Sequence, residues 1–210
     1  MSSNSPQQPT FSSQDVEVLE RKRGFDGFFK LDTLKLRHRL FKGGWGEEIQ
    51  REVFVRGAAV VVQLYDPATD RVAFTEQFRA GAMAEERGPW VWESVAGMVE
   101  EGETPEDVAR RELVEESGVE EAQLEFICEY LPSPGGTDEK VYLYCGLADL
   151  NGVEGVYGLP EEGEDIRVVT MPLDEAVTHI ATGFNTAATI MALQWLQLNK
   201  ARLCHHISSQ

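Results

Sequence analysis

From Gly57 onward the chain alternates apolar stretches with polar turns. GAAVVVQL at 57–64 is a continuous apolar run, the pattern of a strand buried on both faces. RVAFTEQF at 71–78 follows an Asp-Pro turn, and WVWESVAG at 90–97 predicts a third strand. LEFICEYL at 124–131 and KVYLYCGL at 140–147 predict two more around a Pro-Gly-Gly loop, and IRVVTM at 166–171 another short one. Helices are predicted over 104–117, over 172–183 with Gly183 as its stop, and over 185–199 with Asn185 as its cap. Strands gathered around helices without regular β-α alternation predict a mixed-sheet α/β or α+β domain. No internal repeat is present.

Before Gly57 the pattern is thinner. Val16–Val18, Phe28–Leu40 and Ile49–Val55 alternate apolar and polar side chains, which predicts antiparallel strands with a turn at Gly43-Gly44. Such a segment is too short to bury a good core alone. The expected organisation is a disordered tail over 1–14, an N-terminal β arm over 15–56 that packs on the rest of the chain or on a second subunit, and a main domain over 57–210.

Charge changes the picture. The 210 residues carry 36 acidic against 19 Lys and Arg side chains, a formal charge of −17. That argues against nucleic acid polymers and anionic membranes as general partners, because both need a basic footprint. No apolar run is long enough for a membrane span, and MSSNSPQQPTFSSQ has neither a basic nor an apolar signal region. Cys128, Cys145 and Cys204 are odd in number and widely spaced, without a CxxC, as for free thiols in a reducing cytoplasm. A cytoplasmic location is therefore expected. The acid is uneven: residues 1–56 hold 10 basic and 8 acidic side chains, whereas residues 93–121 hold 11 acids and 2 arginines.

The helix at 104–117 lies inside that acidic stretch. Thr104 is its expected N-cap, Pro105 its first residue, Asp107 completes a capping box, and Gly118 stops it. Wound at about 100° per residue, Val108, Ala109 and Leu113 form an apolar stripe. Glu112 and Glu116 fall on its border, with Glu115 one step round. A solvated acidic flank is the usual fate of a charge run. Carboxylates beside an apolar seam, however, must be paired, protonated or metal-bound, and Arg110 and Arg111 cannot neutralise them all. Hard oxygens at i, i+3 and i+4 suit Mg²⁺, or Mn²⁺, better than zinc.

Residues 97–119, GMVEEGETPEDVARRELVEESGV, resemble the Nudix box, G-x5-E-x7-R-E-U-x-E-E-x-G-U with U apolar. Gly97, Glu103, Arg111, Glu112, Leu113, Glu115, Glu116, Gly118 and Val119 all fall in register. The resemblance implies the Nudix fold, an α/β/α sandwich, and hydrolysis of a nucleoside diphosphate linked to another group. It implies Glu112, Glu115 and Glu116 as metal ligands, the carbonyl of Ala96 as a further one, and Arg111 and Glu103 as residues that position them.

Pro134, in Ser133-Pro134-Gly135-Gly136, lies 16 residues after Gly118, the spacing of the ADP-ribose pyrophosphatase subgroup. The N-terminal arm, Glu76-Gln77-Phe78-Arg79 and EEGEDIRV at 161–168 are similar to bacterial members of that subgroup. The resemblance implies Mg²⁺-dependent cleavage of ADP-ribose to AMP and ribose 5-phosphate, by a homodimer. Within the loop at 161–165 it implies Glu162 as general base and Glu164 as an added metal ligand, with Glu161 and Asp165 as weaker alternatives. Arg51 and Arg79 become substrate contacts, Phe28 an adenine-stacking residue, Ser133 a residue of the substrate loop, and Glu139 a ribose acceptor or second-choice base. GDP-mannose as substrate, or a non-catalytic ligand sensor on the same fold, remain the alternatives. His179, His205 and His206 have no partner pattern, and His38 sits in a basic Arg-His-Arg strand read as a surface edge.

Overall fold

A computed structural model describes residues 9–207, with side chains through Cys204. The expected disorder of the first residues therefore lies, for residues 1–8, outside the described residues, as do the side chains of His205 and His206. Within the remainder of that expected tail, Ser13–Asp15 form one 3-10 turn capped by Ser12.

The chain divides into two units. The first holds the residues up to Arg56 together with Ser133–Glu139. Its three strands, β1 (Val16–Asp26), β2 (Lys30–His38) and β3 (Ile49–Val55), form an antiparallel sheet in that order. Asp32 is the one buried residue in the three strands, held by the guanidinium groups of Arg21 and Arg23. The 133–139 loop joins the sheet through β3, with Phe54 N–H donating to Gly136 O at 2.8 Å and Arg56 pairing with Glu139 at 2.9 Å.

The second unit contains the remaining strands: β4 (Ala58–Asp66), β5 (Arg71–Phe78), β6 (Trp90–Glu93), β7 (Val95–Met98), β8 (Gln123–Tyr130), β9 (Lys140–Leu147), β10 (Gly155–Tyr157) and β11 (Ile166–Pro172). The sheet runs β10-β11-β5-β4-β9-β8, with β6 paired to β5 and β7 to β4. β4 and β9 run parallel and the other pairs antiparallel, so the sheet is mixed. Helix α1 (Pro105–Ser117) packs on one face, and α2 (Leu173–Thr178) and α3 (Ala187–Ile207) on the other.

β4 shows why its sequence has no polar alternation. Val60, Val62 and Leu64 pack with Val108, Ala109 and Leu113 of α1. Tyr65, one position out of phase, packs with Leu193, Leu196 and Leu203 of α3, and Val61 with Ala192. Each such aliphatic or aromatic side chain removed from water contributes about 1.5–3 kcal/mol. The expected α/β/α sandwich is thus what the chain forms.

Three elements differ from expectation. The strand predicted over 90–97 breaks at Ser94, where it changes partner from β5 to β4. The helix predicted to run to Gly183 ends at Thr178, because the chain turns through His179 to bury Phe184 against Phe74 and Trp92. α3 begins at Ala187 rather than Asn185 and runs well past 199, its last turns fixed by Lys200 pairing with Asp70 and Asp174. Among the described residues no helix is long and apolar enough to cross a membrane.

Candidate active site

α1 is built to hold carboxylates at fixed depths. Thr104 Oγ1 accepts the Asp107 N–H while Asp107 accepts the Thr104 N–H, a reciprocal capping box. Pro105 opens the helix, and Gly118 closes it at φ 67°, a left-handed conformation natural to glycine. A Cβ on Gly118 would also stand 2.6 Å from the Tyr157 ring. Val108, Ala109 and Leu113 are buried, which turns Glu112 and Glu116 into the seam between α1 and the sheet.

Glu116 is the deepest acid, 2% exposed. Its Oε1 accepts from Gln77 Nε2 on β5 at 3.2 Å and its Oε2 from the Ala96 N–H on β7 at 2.9 Å. Both donors are neutral. Burial, aided by the nearby Glu112 charge, pushes its carboxyl up to about 8 against the lowering hydrogen bonds and the Arg79 charge. Glu112, 9% exposed, is pushed to about 7, again chiefly by burial, with the charges of Glu115 and Glu164 opposing ionisation and Arg111 favouring it.

Gly97 lies directly under Glu112. A Cβ there would come within 1.8 Å of Glu112 Oε1, so only glycine lets α1 approach β7 this closely. Arg111 spans the outer acids. Its Nε donates to Glu103 Oε1 at 3.1 Å, and its Nη1 donates to Glu112 Oε1 at 2.7 Å and Glu115 Oε2 at 3.1 Å. Its Nη2 reaches the Met98 carbonyl at 3.4 Å. Glu103 itself accepts the Glu100 N–H at 3.0 Å, and that bond with Arg111 holds its carboxyl below the ordinary range.

The second acidic loop is tied to the same helix. Gly158 N–H donates to Glu115 O at 3.1 Å, where the chain leaves β10. Glu164 Oε2 accepts the Leu159 N–H at 3.0 Å, and its charge is felt at Glu112. Glu161 and Glu162 are exposed on a 3-10 turn, and Asp165 is exposed beyond it. Arg79 follows β5, held by Glu93 of β6 at 2.6 Å, and its charge is felt at Glu116.

The second unit thus brings together Glu103, Arg111, Glu112, Glu115, Glu116, Ala96, Arg79 and Glu164, with Glu162 on the adjoining loop. Phe28, Arg51, Ser133 and Glu139 belong to the first unit. Phe28 is 93% exposed between β1 and β2, edge-on to Phe29, rather than packed in a core. Arg51 donates to the Gln50 carbonyl at 2.7 Å, Ser133 is exposed with its carbonyl accepting the Gly136 N–H, and Glu139 holds Arg56. His179 caps α2 through its backbone, and His38 is exposed. Gln77 and Glu93 escaped sequence reasoning, because each acts on a partner distant in sequence. The one local signal was the place of Gln77 two residues before Arg79.

Among the described residues, no three His, Cys, Asp or Glu side chains are gathered as an ion requires. Arg111 draws Glu103, Glu112 and Glu115 onto itself. The donor set nevertheless fits a hard divalent cation: carboxylate oxygens on one helix, and a buried Glu116 supplied only with neutral hydrogen-bond donors.

Known proteins resemble the chain over most of its length. A profile of the NUDIX domain matches residues 55–194. An ADP-ribose pyrophosphatase of Escherichia coli (strain K12) is 43% identical over 195 residues, covering 92% of this chain and 93% of that protein. An ADP-ribose pyrophosphatase of Haemophilus influenzae is 41% identical, covering 92% and 91%. A GDP-mannose pyrophosphatase of Pectobacterium atrosepticum is 29% identical, covering 87% and 94%. The crystal structure of an ADP compounds hydrolase superposes with a TM-score of 0.65 at 20% identity, covering 90% of this chain and 97% of that one, which speaks to the fold.

Proposed function

The chain belongs to the NUDIX family, and on that premise we propose that it hydrolyses the diphosphate of ADP-ribose to AMP and ribose 5-phosphate. The observation that carries the chemistry is Glu116, buried between neutral donors at the head of a carboxylate series on α1. The substrate assignment rests on the relatives named ADP-ribose pyrophosphatase, which are more similar to this chain than the GDP-mannose pyrophosphatase.

In this reading Glu112, Glu115, Glu116, the Ala96 carbonyl and Glu164 would hold Mg²⁺, with Mn²⁺ as a substitute. The metal, when bound, neutralises the diphosphate and lowers the pKa of a coordinated water. Arg111 and Glu103 keep the outer carboxylates from scattering under mutual repulsion. Arg79, set by Glu93, presents a planar fork to a phosphate. Water attacks one phosphorus, the bridging P–O bond breaks towards the other phosphate, and the Glu162 carboxylate takes the water's proton. Glu162 is exposed to solvent on a 3-10 turn closed by Gly163. Arg51, Phe28, Ser133 and Glu139 would serve substrate recognition. The three free cysteines fit a reducing cytoplasm.

The test is a Mg²⁺ titration against a panel of sugar nucleotides with pure protein. ADP-ribose turned over fastest, with AMP as product, is the expected outcome. Faster turnover of GDP-mannose would move the substrate, and no hydrolysis of any member would leave a ligand sensor on this fold.

A further inference from the structure

The strand over residues 90–98 changes partner at one residue. Through Glu93 it follows β5, and from Val95 it follows β4. β4 and β5 themselves part company beyond Leu64 and Ala73. Ser94 stands in the crotch of this fork, where backbone groups lose ladder partners in the interior. Buried polar groups there must be satisfied by side chains.

Three side chains do so. Gln63 Nε2 donates to the carbonyls of Ala73 at 2.9 Å and Leu64 at 3.1 Å. Ser94 Oγ lies 2.7 Å from Gln63 Oε1, an oxygen that only accepts, so the Ser94 hydroxyl hydrogen is committed there. The 3.1 Å contact between Ser94 Oγ and Thr189 Oγ1 is then donated by Thr189. Thr189 Oγ1 in turn accepts the Ser94 N–H at 3.0 Å and the Thr186 hydroxyl at 2.9 Å. Donation runs from Thr186 through Thr189 and Ser94 to Gln63, and no hydroxyl donates twice. Gln63, Ser94 and Thr189 are all buried.

The prongs of the fork carry the groups that grip Glu116. β5 supplies Gln77, and the segment after Ser94 supplies the Ala96 N–H. The residue before Ser94, Glu93, holds Arg79. Side chains alternate along a strand, so a slip at Ser94 would turn Glu93 and Ala96 away from their partners. A fully satisfied buried network specifies one arrangement where apolar packing would tolerate several.

We infer that Gln63, Ser94 and Thr189 are positioning residues that tie the first turn of α3 to the fork and thereby fix where Glu116 and Arg79 stand. Their effect on turnover rests on the hydrolase reading above; their effect on placement does not.

Thr189→Val removes the hydroxyl and keeps the shape, and Thr189→Ser restores the hydroxyl. Amide hydrogen exchange is followed at Ala96 and, for reference, along β9, with kcat and KM measured on the same proteins. Thr189→Val is expected to speed exchange at Ala96 about tenfold or more while β9 stays as it was. It should lower kcat about tenfold with KM within about twofold, and Thr189→Ser should restore both. Exchange that is unchanged at Ala96, or that rises equally in β9, overturns the inference. So does a kcat loss that serine fails to restore. A parent protein inactive on every sugar nucleotide would remove the hydrolase reading, while the exchange result would still decide the placement. Should Thr189→Val fail to fold, Ser94→Ala serves with the same readouts.

Discussion

At the scale of single residues, Glu116 is the side chain on which most depends. A carboxylate this deep costs free energy to ionise, and that cost sets the sign of a pH effect. Its folded-state pKa of about 8 stands above the ordinary carboxylate value of about 4.3. Between those values the folded protein holds a proton that the unfolded chain has released. The contribution is therefore full at low pH and is lost as pH rises through 8, the reverse of a salt-bridged carboxylate. Glu112, pushed to about 7, acts in the same direction. In chelator the unfolding free energy should fall by on the order of a few kcal/mol from pH 5 to pH 8, at about 1.4 kcal/mol per pH unit, and the melting temperature should fall with it. Glu116→Gln should flatten most of that slope in thermal denaturation scans. An unaltered slope in the variant would place the titration elsewhere. The same substitution should lower Mg²⁺-supported turnover of ADP-ribose by orders of magnitude with the fold kept by circular dichroism; near-normal kcat would leave the helix carboxylates without a part in turnover. Glu162→Gln separates a second role. Loss of turnover with Mg²⁺ binding kept is expected of a base, and parent rates would pass that role to Glu139 or Glu161.

At the scale of elements, the decisive feature is the approach of α1 to β7. Glycine at 97 lets the helix settle until Glu112 overlies the strand backbone. Gly97→Ala forces a methyl group into the Glu112 carboxyl, and overpacking of this kind costs about 1–3 kcal/mol. Thermal denaturation should show that loss, and kcat should fall more than about tenfold because Glu112 must leave its place. A variant with parent stability and parent kcat would mean that the helix relaxes without consequence. This pairing also marks what was legible in the sequence. The α1 carboxylates were readable because helical spacing is local: i, i+3 and i+4 share a face whatever surrounds them. The cap at Thr104 and the stop at Gly118 are equally local. The grip on Glu116 was not readable, because Gln77 and Ala96 come from strands whose pairing is set by long-range register. The partner switch at Ser94 was hidden for the same reason, since WVWESVAG has the apolar content of one uninterrupted strand. β10 escaped as well, since the three residues Gly155–Tyr157 carry too little pattern to register.

At the scale of the whole molecule, the first unit raises the remaining question. Its three strands bury only Asp32, and it exposes Phe25, Phe28 and Phe41. A small sheet is marginal in water without a hydrophobic face against something. The homodimer that the family resemblance implies would supply that cover through a second copy. Two forces compete to drive such an association. Residues 1–56 carry ten basic and eight acidic side chains in a strongly acidic chain, which favours attraction between copies. Yet much of that basic charge is already spent locally: Arg21 and Arg23 on Asp32, Arg37 on Glu17, Lys35 on Glu48. What is left is screened over about 10 Å at 0.1 M salt and about 3 Å at 1 M. Apolar burial at roughly 25 cal/mol per Å² is not weakened by salt in this way, so the exposed aromatic side chains should dominate. Light scattering is expected to give the mass of two chains at 0.1 M salt and again at 1 M salt. The mass of one chain at 0.1 M would discard the homodimer, and a shift from two chains to one on adding salt would make charge, rather than the aromatic surface, its driving force.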